Sequence, residues 1–377
     1  MSHPVKIAIF FTTLALFLLP HSGWAQSARA KVAYRNSSGT ERSERGDVLS
    51  HSCRGLVMKR RGGQKTIAED DLISVTYSKL PNGYVAAMEL FQTGGYYEAI
   101  DALLEILPEV EKKKSLSWAK QEIYFHASEA AYRVGDYAAA AEYAKTLSSK
   151  IADTRYRPQL ELRSAGDLLA AGKYKEALAA YGKTSSGGPK KYSASFVLAG
   201  AVGKVRTHLH AGNLESAMSA VKAAEALVKK PEGKDLVAAW KARTLVAQKK
   251  FADAANQLSA LLLKASANKR YQRQPALLAV AANGLGDIAF QKQDFEKAAL
   301  EYSKTFALFG DLADLRHDVG WATWQFSLCC KRIATSTKED DKRKVYTGRH
   351  RRMRERAAED FQMTRGGQLA RKELGMN

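Results

Sequence analysis

Ile7 to Leu19 is an apolar run broken only by Thr12 and Thr13, with Lys6 before it and Pro20 and Gly23 after it. Its 13 residues fall short of the roughly 20 that cross a bilayer. A positive start, a short apolar centre and small residues at Gly23 and Ala25 predict a secretory signal over 1–25, cleaved after Ala25. Residues 26–45 are polar and small and read as a linker. From 46 to 80 the apolar positions fall in short β-like runs: 46–50, 55–59, 66–68 and 72–77. Gly62-Gly63 marks a hairpin turn between the second and third runs. Pro81 closes this small β module. Apolar residues then recur at helical spacing to about residue 330, the last stretch (313–330) reading as a helix that caps an open end. Beyond Lys331 apolar residues thin out, and 331–377 reads as a basic, disordered tail.

The helical region repeats. Gly94-Gly95-Tyr96 leads to Ala99, Gly135-Asp136-Tyr137 to Ala140, Gly172-Lys173-Tyr174 to Ala177, and Gly212-Asn213-Leu214 to Ala217. Lys250-Phe251 leads to Ala254 and Asp294-Phe295 to Ala298 in the same way. The ring or leucine positions are 41, 37, 40, 37 and 44 residues apart. This pattern resembles the tetratricopeptide repeat (TPR) family, most closely from Leu285-Gly286 to Ala298-Ala299 with Tyr302. Ala165 and Ala242 take the place of Gly286 in two other units. Small residues on the two helices of a pair let them approach, and glycine at the turn supplies the left-handed residue that ends the first helix. The spacing exceeds the family's 34 residues, which places the extra length in longer helices and in loops such as 184–189 and 229–233. The resemblance implies a mainly α fold, a right-handed α-solenoid of about six TPR-like helix pairs over 81–330. The β runs resemble a small SH3-like or Sm-like barrel, by spacing alone.

Charge changes the picture more than composition does. The 377 residues include 59 basic and 39 acidic, a net charge of +20. Apolar residues at 45% and only 8 prolines exclude a wholly disordered or collagen-like chain. The excess is spread along the chain, and Lys342–Arg356 alone holds 8 basic residues in 15. A spread excess points to general attraction for polyanions rather than a sequence-reading surface. The three cysteines, Cys53, Cys329 and Cys330, are too few and oddly placed for a disulfide framework and read as small apolar residues.

No pattern of catalytic groups emerges. Gly284-Leu-Gly286-Asp-Ile-Ala289 has the form of a dinucleotide fingerprint but lies inside a repeat helix, where packing explains it. Gly200-Ala-Val-Gly203-Lys204 lacks the spacing and following hydroxyl of a phosphate loop. His208 and His210 point about 200° apart on a helix and cannot clamp one metal; they read as surface residues. His51 and Cys53 share a strand face without a third ligand. Glu69-Asp70-Asp71 reads as a solvated turn. Gly62-Gly63-Gln64 and Gly366-Gly367-Gln368 have the form of the release-factor tripeptide, which an exported chain has no ribosome to use on. No catalytic residue, cofactor or metal is assigned, and the chain is read as a non-enzyme.

Alignment of the units places Glu129, Arg206, Arg243 and Asp287 on the concave face of the solenoid. Phe91, Tyr132, Leu169, Leu209, Val246 and Phe290 form an apolar stripe beside them. Tyr132, Glu129, Arg206, Arg243, Asp287 and Phe290 are therefore the candidate partner-binding residues. The resemblance implies an exported, periplasmic or secreted, scaffold or adaptor that takes a protein or peptide in this groove. The alternative is an envelope protein that binds polyanions through its basic tail and β module.

Overall fold

The computed structural model describes residues 28–187, 192–228, 231–267, 274–310, 312 and 315–376. The predicted signal segment, 1–25, lies outside them, as do parts of the loops at 184–189 and 229–233. Five antiparallel strands come first: β1 Ala28–Arg35, β2 Glu41–Ser52, β3 Gly55–Arg60, β4 Gly63–Ala68 and β5 Leu72–Tyr77. Their order is β4-β3-β2-β1-β5.

Of the linker expected over 26–45, residues 28–45 instead form β1, a turn and the start of β2. β1 alternates buried Ala28, Ala30, Val32 and Tyr34 with outward residues, a period-two signal diluted by its basic partners. β2 is polar on both faces at its start, so no alternation marks it. The turn between them sets it: the Asn36 side chain accepts from the amides of Ser38 (3.2 Å) and Thr40 (2.9 Å), and Gly39 takes φ 79°.

Fifteen helices follow among the described residues. Six antiparallel pairs are α1 Tyr84–Thr93 with α2 Tyr96–Lys112, α3 Ala119–Arg133 with α4 Tyr137–Lys150, and α5 Arg157–Ala170 with α6 Tyr174–Ser186. Then come α7 Ala194–His210 with α8 Leu214–Leu227, α9 Pro231–Ala247 with α10 Phe251–Ala267, and α11 Pro275–Gln291 with α12 Phe295–Phe309. This is a TPR-like helical repeat. Helices α7, α9, α10 and α11 each have 17 residues, which accounts for part of the long period.

All six turns use a left-handed residue: Gly94, Gly135, Gly172, Gly212, Lys249 and Gln293, with φ between 62° and 90°. The alanines of the pattern are all at most 2% exposed. The space beside Gly286 is filled by the Tyr302 ring rather than by Ala298, since a methyl group there would lie 2.7 Å from that ring.

A left-handed conformation costs a residue with a Cβ about 1–2 kcal/mol, whereas glycine pays about 0.5–1 kcal/mol in unfolded-state entropy. Lys249→Gly and Gln293→Gly are accordingly expected to stabilise the chain by up to about 1 kcal/mol each, and Gly172→Ala to destabilise it by about 1 kcal/mol. Thermal denaturation of the three variants checks the opposite signs; a common sign would remove turn conformation as the cause.

The sheet is not a separate unit. Val32, Leu56, Met58 and Ile67 share one core with Leu103, Ile106, Trp118 and Ile123. The Tyr77 ring stacks on Trp118 at 3.8 Å. A polar junction reinforces it. Glu122, 7% exposed, accepts from Arg155 (3.1 Å) and Tyr156 (2.5 Å). Gln121 accepts from Thr154 at 3.0 Å. Asp70 accepts from the Ser195 amide at the start of α7 (3.3 and 3.4 Å), so the acidic turn 69–71 caps a helix instead of only facing solvent. The His51 side chain is 3% exposed and meets Glu69 at 3.2 Å.

The tail expected to be disordered is helical and packed. The capping helix α13 runs Arg316–Ser336, followed by α14 Asp340–Asp360 and α15 Arg365–Leu374. Trp324 on α13, Ala357 and Ala358 on α14 and Ala370 on α15 form one cluster. The His350 ring meets the Ser327 carbonyl at 2.9 Å, and Lys331 pairs with Glu373 at 2.7 Å. Composition concealed this because α14 needs only two alanines and a few half-buried residues to dock; α13 supplies the apolar surface. Among the described residues no helix is long and apolar enough to cross a membrane.

Candidate functional site

The inner helices α5, α7, α9, α11 and α13, together with the start of α15, line a partly open cavity of about 410 Å³. Four of the six candidate residues line it: Arg206, Arg243, Asp287 and Phe290. Leu169, Leu209 and Val246 of the apolar stripe line it as well. They converge because each projects from the same face of successive inner helices.

The charged groups are held in pairs. Arg206 binds Asp318 at 2.6 Å, and Arg243 binds Asp287 at 2.7 Å. Both guanidinium groups approach the face of Trp240, at 5.0 and 5.9 Å from its centroid. Asp287 also accepts from the Tyr302 hydroxyl (2.6 Å) and the Trp321 indole (3.3 Å). The Asp318 carbonyl accepts from Asn283 at 3.0 Å.

A third guanidinium enters from α15. Arg365 donates to His210 Nδ1 at 2.7 Å and lies 5.4 Å from the Trp321 centroid. Guanidinium has no acceptor, so Nδ1 is the acceptor and the neutral ring carries its proton on Nε2. Burial, then the charges of Arg365, Arg206 and Arg243, pushes the His210 pKa well below its usual value. Burial and the arginines Arg206 and Arg316 push His317 down to about 3. Both rings are neutral near neutral pH. His210 is thus a cavity residue, contrary to the surface position read from sequence.

Glu129 and Tyr132 stand outside the cavity. Glu129 pairs with Arg163, and the Tyr132 hydroxyl donates to Asp167 at 2.5 Å. Burial lifts the Asp167 carboxyl to about 6, against the Tyr132 hydrogen bond and the charges of Arg163 and Arg316. The C-terminal helices cover this stretch. Arg316 lies 4.9 Å from the Tyr132 centroid, Met363 packs against the cluster of Ala131, Tyr132 and Ala140, and His317 lies where a Gly166 methyl group would be, 2.4 Å away. The open concave groove expected along the whole solenoid is therefore narrowed to a partly open cavity beside a covered face.

Trp240, His210, Tyr302, His317, Asp318, Trp321 and Arg365 were not among the sequence candidates. Trp240 sits three residues before Arg243 on one helix face, a spacing that could have found it. Asp318 and Arg365 lie outside the repeats and carried no signal.

The other motifs are packing features. Gly203 faces the Tyr181 ring and Gly284 faces Leu258 and Arg243. Gly366 and Gly367 bring α15 against the backbone at Gly320 and Phe361. Cys329 and Cys330 are buried, and burial raises their thiols to about 12 and about 11. Cys53 is buried with Tyr192 and Val197. No group of three side chains that could hold a metal occurs among the described residues.

No family model and no curated protein matches the chain. Among solved structures, the human IFIT1 dimer with m7Gppp-AAAA is 18% identical, at a TM-score of 0.39. The match covers 79% of this chain and 64% of that one, less than two thirds of its length. BtubC (BKLC) from P. vanneervenii is 12% identical, at a TM-score of 0.31, over 72% of this chain and 90% of that one. Both likenesses are distant and say nothing about what this chain binds.

Proposed function

We propose that the chain is an exported helical-repeat scaffold that holds a partner at its inner face and does no covalent chemistry. The observation that supports this is the convergence of Arg206, Trp240, Arg243, Asp287 and Phe290, from three successive helix pairs, on one cavity. Their polar groups are already oriented by partners within the chain, which lowers the ordering cost of binding. Export rests on the segment 1–25, and the product recovered outside the cytoplasm should begin at Gln26.

A photo-crosslinking residue at Phe290 tests the scaffold reading in the producing cells, with the same residue at exposed Tyr97 on α2 as control. A defined protein adduct from position 290 alone is expected. Equal adducts at both positions, or none at 290, would sink the reading.

A second reading, polyanion binding, is favoured by α14. Lys344, Arg351 and Arg352 are exposed or nearly so and have no carboxylate partner among the described residues. On the sheet, Lys31 and Arg45 face each other directly across β1 and β2. Ending the chain at Cys330 would cut α13, so charge reversal is the cleaner probe. Changing Lys344, Arg351 and Arg352 together to Glu is expected to flatten the log–log salt dependence of binding to a short DNA duplex by about 2–3 units, since each phosphate left unneutralised takes about 0.9 off the slope. An unchanged slope would exclude α14 as the binding surface.

A further inference from the structure

We propose that the central cavity binds a small oxyanion attached to a flat apolar body, with Arg365 as the residue that receives the anionic group. The inference uses the same cavity as the scaffold reading but needs no protein partner.

Charge is the first reason. Arg206, Arg243, Lys249 and Arg365 line the cavity against two carboxylates, Asp287 and Asp318. Each carboxylate is already taken, Asp318 by Arg206 and Asp287 by Arg243, Tyr302 and Trp321. Arg365 is left with a neutral imidazole and an indole face as its neighbours. Its fork has five N–H donors, and the described residues accept from it only at His210 Nδ1. A carboxylate or phosphate can take two of the others in parallel.

Shape is the second reason. Trp240, Phe251, Phe290 and Trp321 supply apolar walls beside the cation. A volume of about 410 Å³ is within the range of small-molecule sites, whereas an α-helix is about 10–12 Å across with its side chains. The chain's own C-terminal helices narrow the space, so a small molecule or a single side chain fits it better than a folded segment.

Position is the third. Arg365 comes from α15, outside the repeats, and is held there by backbone contact between Gly366 and Gly320. The cation is therefore fixed by the same packing that narrows the cavity.

The test is calorimetric titration of the purified chain with phenyl phosphate, benzoate, inorganic phosphate and benzyl alcohol. Saturable binding of phenyl phosphate or benzoate is expected, and the tighter of the two identifies the anionic group. Inorganic phosphate and benzyl alcohol should each bind at least about tenfold more weakly, as each lacks one half of the recognition. Arg365→Gln should weaken the arylated anion by about tenfold or more, with Arg365→Lys intermediate. A variant with Lys344 and Arg351 changed to Gln should bind as the parent does. Absence of saturable binding, equal binding of benzyl alcohol, or full binding by a folded Arg365→Gln chain would overturn the proposal. So would loss of binding in the α14 variant, which would place the anion on the surface. If Arg365→Gln does not fold, the Arg365→Lys result and the benzyl alcohol comparison decide. None of these outcomes depends on the crosslink at Phe290, so either reading can fail alone.

Discussion

Gly366→Ala is expected to release α15 from α13 and to cost about 3 kcal/mol, at the upper end of what an added methyl group does in a tight contact. The added carbon would lie 2.1 Å from the Gly320 carbonyl oxygen and 2.9 Å from the Trp321 amide nitrogen. Both are backbone atoms of a helix, so no side chain can swing aside. The fit is tight from the other side as well: a methyl group on Gly320 would lie 2.3 Å from Thr364 Oγ1. Thr364 accepts from the Gly367 amide at 3.1 Å and so caps α15, which ties the cap to the same contact. Denaturant unfolding and amide exchange across 365–374 would read the effect. The control is Gly182→Ala in α6, where nothing lies within 4 Å of the new carbon. There alanine should stabilise the helix by up to about 1 kcal/mol. A Gly366→Ala chain as stable as its parent, with α15 still protected, would mean that the helices do not touch as closely as described.

Arg206→Ala is expected to destabilise by about 3–5 kcal/mol, because it leaves the Asp318 carboxylate buried without its counter-charge. The Asp318 side chain is 9% exposed and that of Arg206 16%, and the two are 2.6 Å apart. Removing both charges should be far milder. A chain with Arg206→Met and Asp318→Leu is expected to recover most of the loss, since burying an ion pair offsets much of its own attraction by desolvation. The surface pair Arg54 and Asp153, with side chains 59% and 68% exposed, sets the scale for comparison. Arg54→Ala should cost less than about 1 kcal/mol. Equal effects for Arg206→Ala and Arg54→Ala would show that α13 does not sit on α7 as described. If instead the double variant is no better than Arg206→Ala, the loss comes from the Trp240 contact and not from the stranded carboxylate.

Four of six candidate residues meet in the cavity because they occupy equivalent places in successive repeats, and a period is visible in a sequence. Glu129 and Tyr132 obey the same period yet are covered, since nothing in the repeat records what later packs on it. The hairpin of β1 and β2 was missed for a related reason. A strand that is polar on both faces has no alternation to detect, and it is held by its turn and its partner strand. Helix α14 was missed because a charge-rich segment and a disordered one look alike until an apolar neighbour is supplied.

What the sequence alone determined is local. The turn residues, the buried alanines and the helix pairs each depend on contacts within some tens of residues, so their spacing and side-chain size suffice to specify them. Closure belongs to the tertiary structure. Arg206 meets Asp318 across 112 positions and Arg365 meets His210 across 155, pairings that no periodicity encodes. They arise because α13 buries apolar residues against α11 and against α15, while Phe361 and Met363, between α14 and α15, pack on the repeats. That burial turns an open groove into a cavity and places Arg365 inside it.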